Sequence, residues 1–201
     1  MNKRSLLEEV KNFPVMPLTL ANKITILRII LVPVFIAVIL YYHPQRDYYR
    51  WIALALFVFS AGLDLLDGYI ARRNHEFTKV GALLDPLADK LLLISAFIGL
   101  YVTGLQFPLI HFPIWLVVGV ISRDAILLLG TMVIHIAKCE LIIKPNIFGK
   151  LATLFQVLCV IGILGQIPGS SLLWPMTLVL TIVSGLLYVR QGIDMLNRGA
   201  L

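Results

Sequence analysis

Four aspartates stand at spacings suited to holding a cation. Asp64 and Asp67 are three residues apart, and Asp85 and Asp89 are four apart, so on helices each pair shares one face. All four fall inside long apolar stretches. A carboxylate buried in a bilayer costs several kcal/mol unless it is paired or hydrated, so such residues usually mark function. Four clustered carboxylates also repel one another and do not all stay ionised unaided. A hard divalent cation relieves that repulsion, and an oxygen-only ligand set suits Mg²⁺ or Mn²⁺. Magnesium held by carboxylates commonly contacts the phosphate of a substrate as well. The aspartates alone fit two other readings equally well: a proton or cation path in a transporter, and structural ion pairs with Arg72, Lys90 and Arg123.

The residues around the first pair narrow the chemistry. Gly68 follows Asp64 by one helical turn and Ala71 follows Asp67 by one turn, leaving room for a ligand against the backbone. Small residues also let membrane helices pack closely, which is the plainer explanation for them. Arg72 adds a planar donor fork suited to phosphate.

The elements that must position these residues follow from composition. The chain has 201 residues, 59% hydrophobic and 14% charged, and its mean hydropathy is +0.91. A soluble globular chain carries roughly 25% charged residues. The sequence therefore describes an all-α integral membrane protein and excludes a soluble enzyme, a disordered chain and a disulfide-stapled secreted module. A spanning helix needs about 20 residues. Six stretches qualify: Ile24–Tyr42, Trp51–Ala71, Leu83–Val102, Pro113–Ala137, Leu151–Ile167 and Leu172–Val189. The expected organisation is one domain over 1–201, with a cytoplasmic or interfacial segment at 1–21 and a six-helix bundle at 22–196. Leu6–Val15 mixes charged and apolar residues as a short interfacial helix does. The first span reads as an uncleaved anchor.

Net charge is +6, from 17 Lys and Arg against 11 Asp and Glu. No basic stripe with interleaved aromatics is present, so nucleic acid is not an expected partner; anionic membrane lipid is. With the N-terminus inside, the inner segments hold Lys3, Arg4, Lys11, Lys23, Arg72, Arg73, Lys79, Lys138, Lys144, Lys150, Arg190 and Arg198. The outer loops hold Arg46 and Arg50 in the first and no Lys or Arg in Thr103–Phe112 or Pro168–Ser171. This asymmetry predicts a multi-pass protein of the cell membrane with both termini cytoplasmic. Counting from the inner ends, Asp64 and Asp67 lie at a depth similar to that of Asp85 and Asp89, so a short cytoplasmic turn would bring the four together. Cys139 and Cys159 have no metal-ligand spacing and read as a loop thiol and a packed core thiol.

The run Asp64-Leu-Leu-Asp67-Gly68-Tyr-Ile-Ala71-Arg72, eight residues, Gly81, three residues, Asp85, three residues, Asp89 resembles the signature of the CDP-alcohol phosphatidyltransferase family at every fixed position. The resemblance implies exchange of CMP on a CDP-linked lipid for an alcohol. It implies that Asp64, Asp67, Asp85 and Asp89 ligate metal at a site of two Mg²⁺ or Mn²⁺ ions. It assigns Asp89 the further role of general base, and it places Gly68, Ala71, Arg72, Thr78 and Gly81 around the cytidine diphosphate. Family members are commonly homodimers.

Leu84-Asp85-Pro86-Leu87-Ala88-Asp89-Lys90 is similar to the branch of phosphatidylglycerophosphate synthases and CMP-forming cardiolipin synthases. That likeness implies CDP-diacylglycerol as donor and glycerol 3-phosphate as the leading acceptor, with phosphatidylglycerol as the alternative. Arg123-Asp124 stands where many glycerophosphate enzymes carry Arg-Glu. Candidate residues for the acceptor phosphate are Arg28 and Lys150, at similar expected depth, and then Arg123, which the span boundaries place deeper. Snorkelling or ion pairing is the competing account of each.

Overall fold

The computed structural model describes residues 20–74, 79–104, 106–136 and 147–199, with side-chain surroundings described outside 20–22, 65–87, 89, 131–136 and 194–199. Six α-helices hold nearly all of these residues: α1 (Leu20–Leu40), α2 (Tyr48–Asn74), α3 (Lys79–Gly104), α4 (Ile114–Ile136), α5 (Ile147–Leu164) and α6 (Leu173–Gly199). Single 3₁₀ turns occupy Pro44–Arg46 and Ser170–Leu172. No strand occurs among the described residues. The helices overlap the six apolar stretches of the sequence. The expected interfacial helix at Leu6–Val15 lies outside the described residues.

Lys23–Leu40, Ile147–Leu164 and Ser170–Ile193 are long and apolar enough to cross a membrane, and Lys90–Gly104 is a shorter apolar helix. The other helices carry charges that interrupt their apolar runs, such as Asp64 in α2 and Arg123 and Asp124 in α4. Large apolar side chains such as Ile30, Leu129, Val179 and Leu186 are exposed on the outside of the bundle, which is a surface for lipid rather than water. The protein is membrane-embedded.

Helix directions follow from the contacts. Phe35 meets Phe57, with ring centroids 5.9 Å apart, and Arg28 meets Asp64, so α1 and α2 run antiparallel. Cys159 Sγ lies 3.1 Å from Thr177 Oγ1, and a Cβ on Gly149 would lie 3.3 Å from Ser184 Oγ, so α5 and α6 also run antiparallel. Two groups of three result. α1 packs against both α2 and α3, α6 packs against both α4 and α5, and the groups meet where α2 and α3 touch α5 and where α3 touches α4.

The two ends of this bundle differ. At the Arg50 end the interior is aromatic. Phe97 and Phe112 stack at 4.7 Å, Tyr42 meets Phe107 edge-on at 4.7 Å, and Trp174 lies 6.4 Å from Phe112. Helices in lipid gain little from apolar burial itself and depend on close packing and hydrogen bonds. Accordingly, Gly162 lets α5 approach Ser170, where a Cβ would stand 2.6 Å from the serine Cβ. Arg50 donates to Asp47 at 2.8 and 2.7 Å and to the Leu164 carbonyl at 2.6 Å, tying α2 to the last turn of α5.

α5 ends on Gln166 in the left-handed region (φ 50°), with Ile167 N donating to Gly162 O and Gln166 N to Ile163 O, the paired bonds of a Schellman cap. A non-glycine residue there is unusual. The Gln166 side chain compensates by accepting from Leu109 N and Ile110 N and donating to Ile110 O and Ile163 O.

Candidate active site

At the opposite end, the seam between the two helix groups opens into a cavity of about 530 Å³. Phe57, Ala61 and Asp64 face it from α2, a spacing of four and three that keeps them on one side of the helix. Lys90, Leu92 and Leu93 come from α3, Arg123 and Leu127 from α4, and Tyr188 from α6. α5 contributes Gly149, Lys150, Thr153, Leu154 and Val157. One wall is thus apolar, while one carboxylate and three cations stand on the others.

Each charge except Lys150 has an ionic partner among the described residues. Asp64 Oδ1 lies 2.7 Å from Arg28 Nη1, with the arginine side chain fully buried and that of the aspartate 34% exposed. Asp124 is completely buried, and its Oδ1 accepts from Lys90 Nζ at 2.7 Å and from Arg123 Nη1 at 2.7 Å. Arg123 Nη2 donates to Ser184 Oγ at 2.8 Å, and its guanidinium carbon lies 5.9 Å from the centroid of the Tyr188 ring. Gly149 makes this arrangement possible, because a Cβ there would meet Ser184 Oγ, Tyr188 Cε2 and Arg123 Nη2 at 3.3–3.4 Å. Lys150 is exposed in the first turn of α5.

The positions expected from sequence distribute as follows. Asp64, Asp67, Gly68, Ala71 and Arg72 belong to α2, and Gly81, Asp85 and Asp89 belong to α3. Of these, Asp64 has a described side chain; the side chains of the others, and Thr78 altogether, lie outside the described residues. Among the described residues no group of three His, Cys, Asp or Glu is gathered around one point. The donor chemistry available is nonetheless that of a hard cation: Asp64 presents a partly exposed carboxylate to the cavity, and Asp67 follows on the same face of an unbroken helix.

Of the three candidates for an acceptor phosphate, Lys150 and Arg123 line the cavity, whereas Arg28 is buried against Asp64. The expectation that Arg123 sits deeper came from counting residues along apolar stretches. In the structure Arg123 and Asp64 line the same cavity, which puts the two at one level.

Ser184 and Tyr188 were not legible as parts of this site, and Lys90 was legible as an ion-pair partner but not as the partner of Asp124. Ser184 and Tyr188 stand in an apolar run. The one available signal was spacing, because Ser184 and Tyr188 are four residues apart and so share a face of α6.

The profile of the CDP-alcohol phosphatidyltransferases matches residues 18–186, which takes in α1 to α5 whole and the first half of α6. A probable phosphatidylglycerophosphate synthase of Mycobacterium tuberculosis is 34% identical over 180 residues, 89% of this chain and 80% of that protein. A CDP-diacylglycerol--glycerol-3-phosphate 3-phosphatidyltransferase of Bacillus subtilis is 32% identical over 198 residues, 89% of this chain and 97% of that protein. A putative cardiolipin synthase of Mycobacterium tuberculosis is 33% identical over a shorter stretch of 136 residues, 68% of this chain and 59% of that protein. The family is one of enzymes that generally use divalent metal ions. With its aspartate signature on two neighbouring helices and its profile match over most of the sequence, this chain belongs to the CDP-alcohol phosphatidyltransferase family.

Proposed function

We propose that this enzyme transfers the phosphatidyl group of CDP-diacylglycerol to glycerol 3-phosphate, releasing CMP, at the cytoplasmic side of the cell membrane. The observation that carries this reading is the wall of Lys90, Arg123 and Lys150 around the cavity that Asp64 also enters. A small dianionic acceptor needs clustered cations, and arginine offers a bidentate fork for a phosphate. The relatives named for glycerol 3-phosphate chemistry match 89% of the chain, against 68% for the putative cardiolipin synthase, which favours glycerol 3-phosphate over phosphatidylglycerol.

In this reading Asp64, Asp67, Asp85 and Asp89 hold two divalent ions. Ions bound there would supply charge stabilisation at the diphosphate. Gly68, Ala71, Arg72, Thr78 and Gly81 hold the cytidine diphosphate. Asp89 takes the proton of the acceptor hydroxyl. That oxygen bonds to the phosphorus carrying the diacylglycerol, and the bond from this phosphorus to the oxygen of CMP breaks. Arg123 and Lys150 hold the acceptor's own phosphate. Arg28 holds Asp64 in place from within the bundle. Six spans, cytoplasmic termini and a homodimer complete the proposal.

The test is CMP release by purified protein supplied with CDP-diacylglycerol, which should occur only when glycerol 3-phosphate is added. Release should stop with EDTA and return with Mg²⁺ or Mn²⁺. CMP release with phosphatidylglycerol and none with glycerol 3-phosphate would transfer the assignment to cardiolipin synthesis.

A further inference from the structure

Asp124 does not line the cavity itself, yet two of the cations that do are fastened to it. Its side chain is fully buried on α4, and a single oxygen, Oδ1, accepts from Lys90 of α3 and from its own neighbour Arg123. The other oxygen, Oδ2, is buried with no hydrogen-bond partner among the described residues. A carboxylate kept this dry and half-satisfied is costly, and apolar packing would serve stability alone at least as well. Ser184 grips Arg123 from the opposite side, through Nη2. These bonds use one N–H each of Nη1 and Nη2, two of the five donors of a guanidinium; Nε is itself buried, so the donors left are the second hydrogens of Nη1 and Nη2. Arg123 is therefore fixed in orientation while donors remain for a ligand.

We propose that Asp124 and Ser184 are positioning residues that hold Arg123, and through Asp124 also Lys90, at the phosphate of the acceptor. The inference rests on the reading of the cavity as the acceptor site. Without these two grips a long cationic side chain must be ordered each time the acceptor binds, and that entropic cost falls on binding. The bond between Lys90 and Asp124 also crosses from α3 to α4, so the carboxylate keeps the helix that bears Asp89 in register with the one that bears Arg123.

The experiment is steady-state kinetics of CMP release with both substrates varied, on full-length Asp124→Asn, Asp124→Glu and Ser184→Ala, with Lys150→Ala as control. Asp124→Asn should raise KM for glycerol 3-phosphate on the order of tenfold, the low end for a charge-assisted contact. KM for CDP-diacylglycerol and kcat at saturating acceptor should change far less, and Asp124→Glu should recover much of the loss. Ser184→Ala, a mild change that keeps both ion pairs, should raise the same KM by about threefold. It remains informative if Asp124→Asn does not fold. Equal effects on both KM values and on kcat, no effect in any variant, or failure of Asp124→Glu to recover what Asp124→Asn loses would overturn the proposal. If Lys150→Ala raises KM for glycerol 3-phosphate while Asp124→Asn and Ser184→Ala do not, the positioning role alone fails. If Lys150→Ala is silent as well, the acceptor site itself is elsewhere.

Discussion

Two buried arginines, at opposite ends of one bundle, show how the same side chain serves different ends. Arg50 spends its donors on Asp47 and the Leu164 carbonyl, and its neighbourhood is aromatic core. Arg123 is held by Asp124 and Ser184, but it forms part of a cavity wall together with Lys90 and Lys150. Around Arg50 the charges close on themselves. Around Arg123 three cations stand on the wall and one buried carboxylate serves two of them. A buried ion pair by itself says little about function; cations left facing an open volume say more.

The largest effects that separate these ends concern the carboxylates. Asp67→Asn or Asp85→Asn should lower CMP release by at least about a hundredfold, since in the proposed mechanism each would remove a ligand charge from the metal clamp. Thermal unfolding should barely change, because an amide is easier to bury in a membrane than a carboxylate. Asp64→Asn should cost as much activity and also some stability, because Arg28 then faces an amide instead of an anion. Full activity of Asp67→Asn at limiting metal would break the comparison at its chemical end.

At the Arg50 end the ranking of effects reverses. Gln166→Ala removes an acceptor shared by two backbone N–H groups and two donated bonds, and it leaves a left-handed residue unsupported. A loss of about 2–4 kcal/mol of stability is expected, from unsatisfied buried groups at roughly 1–3 kcal/mol each. KM for either substrate should stay within twofold, as measured on protein kept below its unfolding temperature. A change in KM without a change in stability would mean that the two ends are not separable.

The smallest effect is a pH dependence. The hydrogen bond from Arg50 holds the Asp47 carboxyl below its ordinary value of 3.8, against an opposing effect of burial. A lowered folded-state value gives stability that is present above about pH 3.8 and is lost as the pH falls through that lower value. The difference in Tm between the wild type and Asp47→Asn should therefore be seen at neutral pH and shrink in acid. A difference that grows below pH 3.8 would contradict the pairing.

Much of this was legible in the sequence. Six apolar stretches gave the six helices with bounds within four residues, except that α6 runs ten residues past Val189 to Gly199, because the charged end of a helix leaves no mark in hydropathy. The aspartate pairs announced themselves by charge in apolar surroundings. What remained hidden depends on partners from distant helices. Nothing local says that Lys90 reaches Asp124, or that Ser184 meets Arg123 rather than bonding within its own helix. Arg28 shows the limit from the other side: its place near the helix end suggested a phosphate ligand, and only the packing of α1 on α2 shows it buried against Asp64. The α5 cap is similar. Gly165 is the residue a reader would choose for the left-handed position, but the chain puts Gln166 there because its side chain finds four backbone partners in the neighbouring loop and the helix end.

The central claim is that the cations facing the cavity bind the phosphate of the acceptor. The most direct measurement is KM for glycerol 3-phosphate in Lys150→Ala beside KM for CDP-diacylglycerol in the same protein. Lys150 lines the cavity from an exposed position in the first turn of α5, so its removal should not disturb folding. Loss of a contact to a non-reacting phosphate weakens binding in the ground and transition states alike. KM for glycerol 3-phosphate should therefore rise by about tenfold or more, with kcat and KM for CDP-diacylglycerol nearly unchanged. An unchanged KM for glycerol 3-phosphate, or an equal rise for both substrates, would contradict the account.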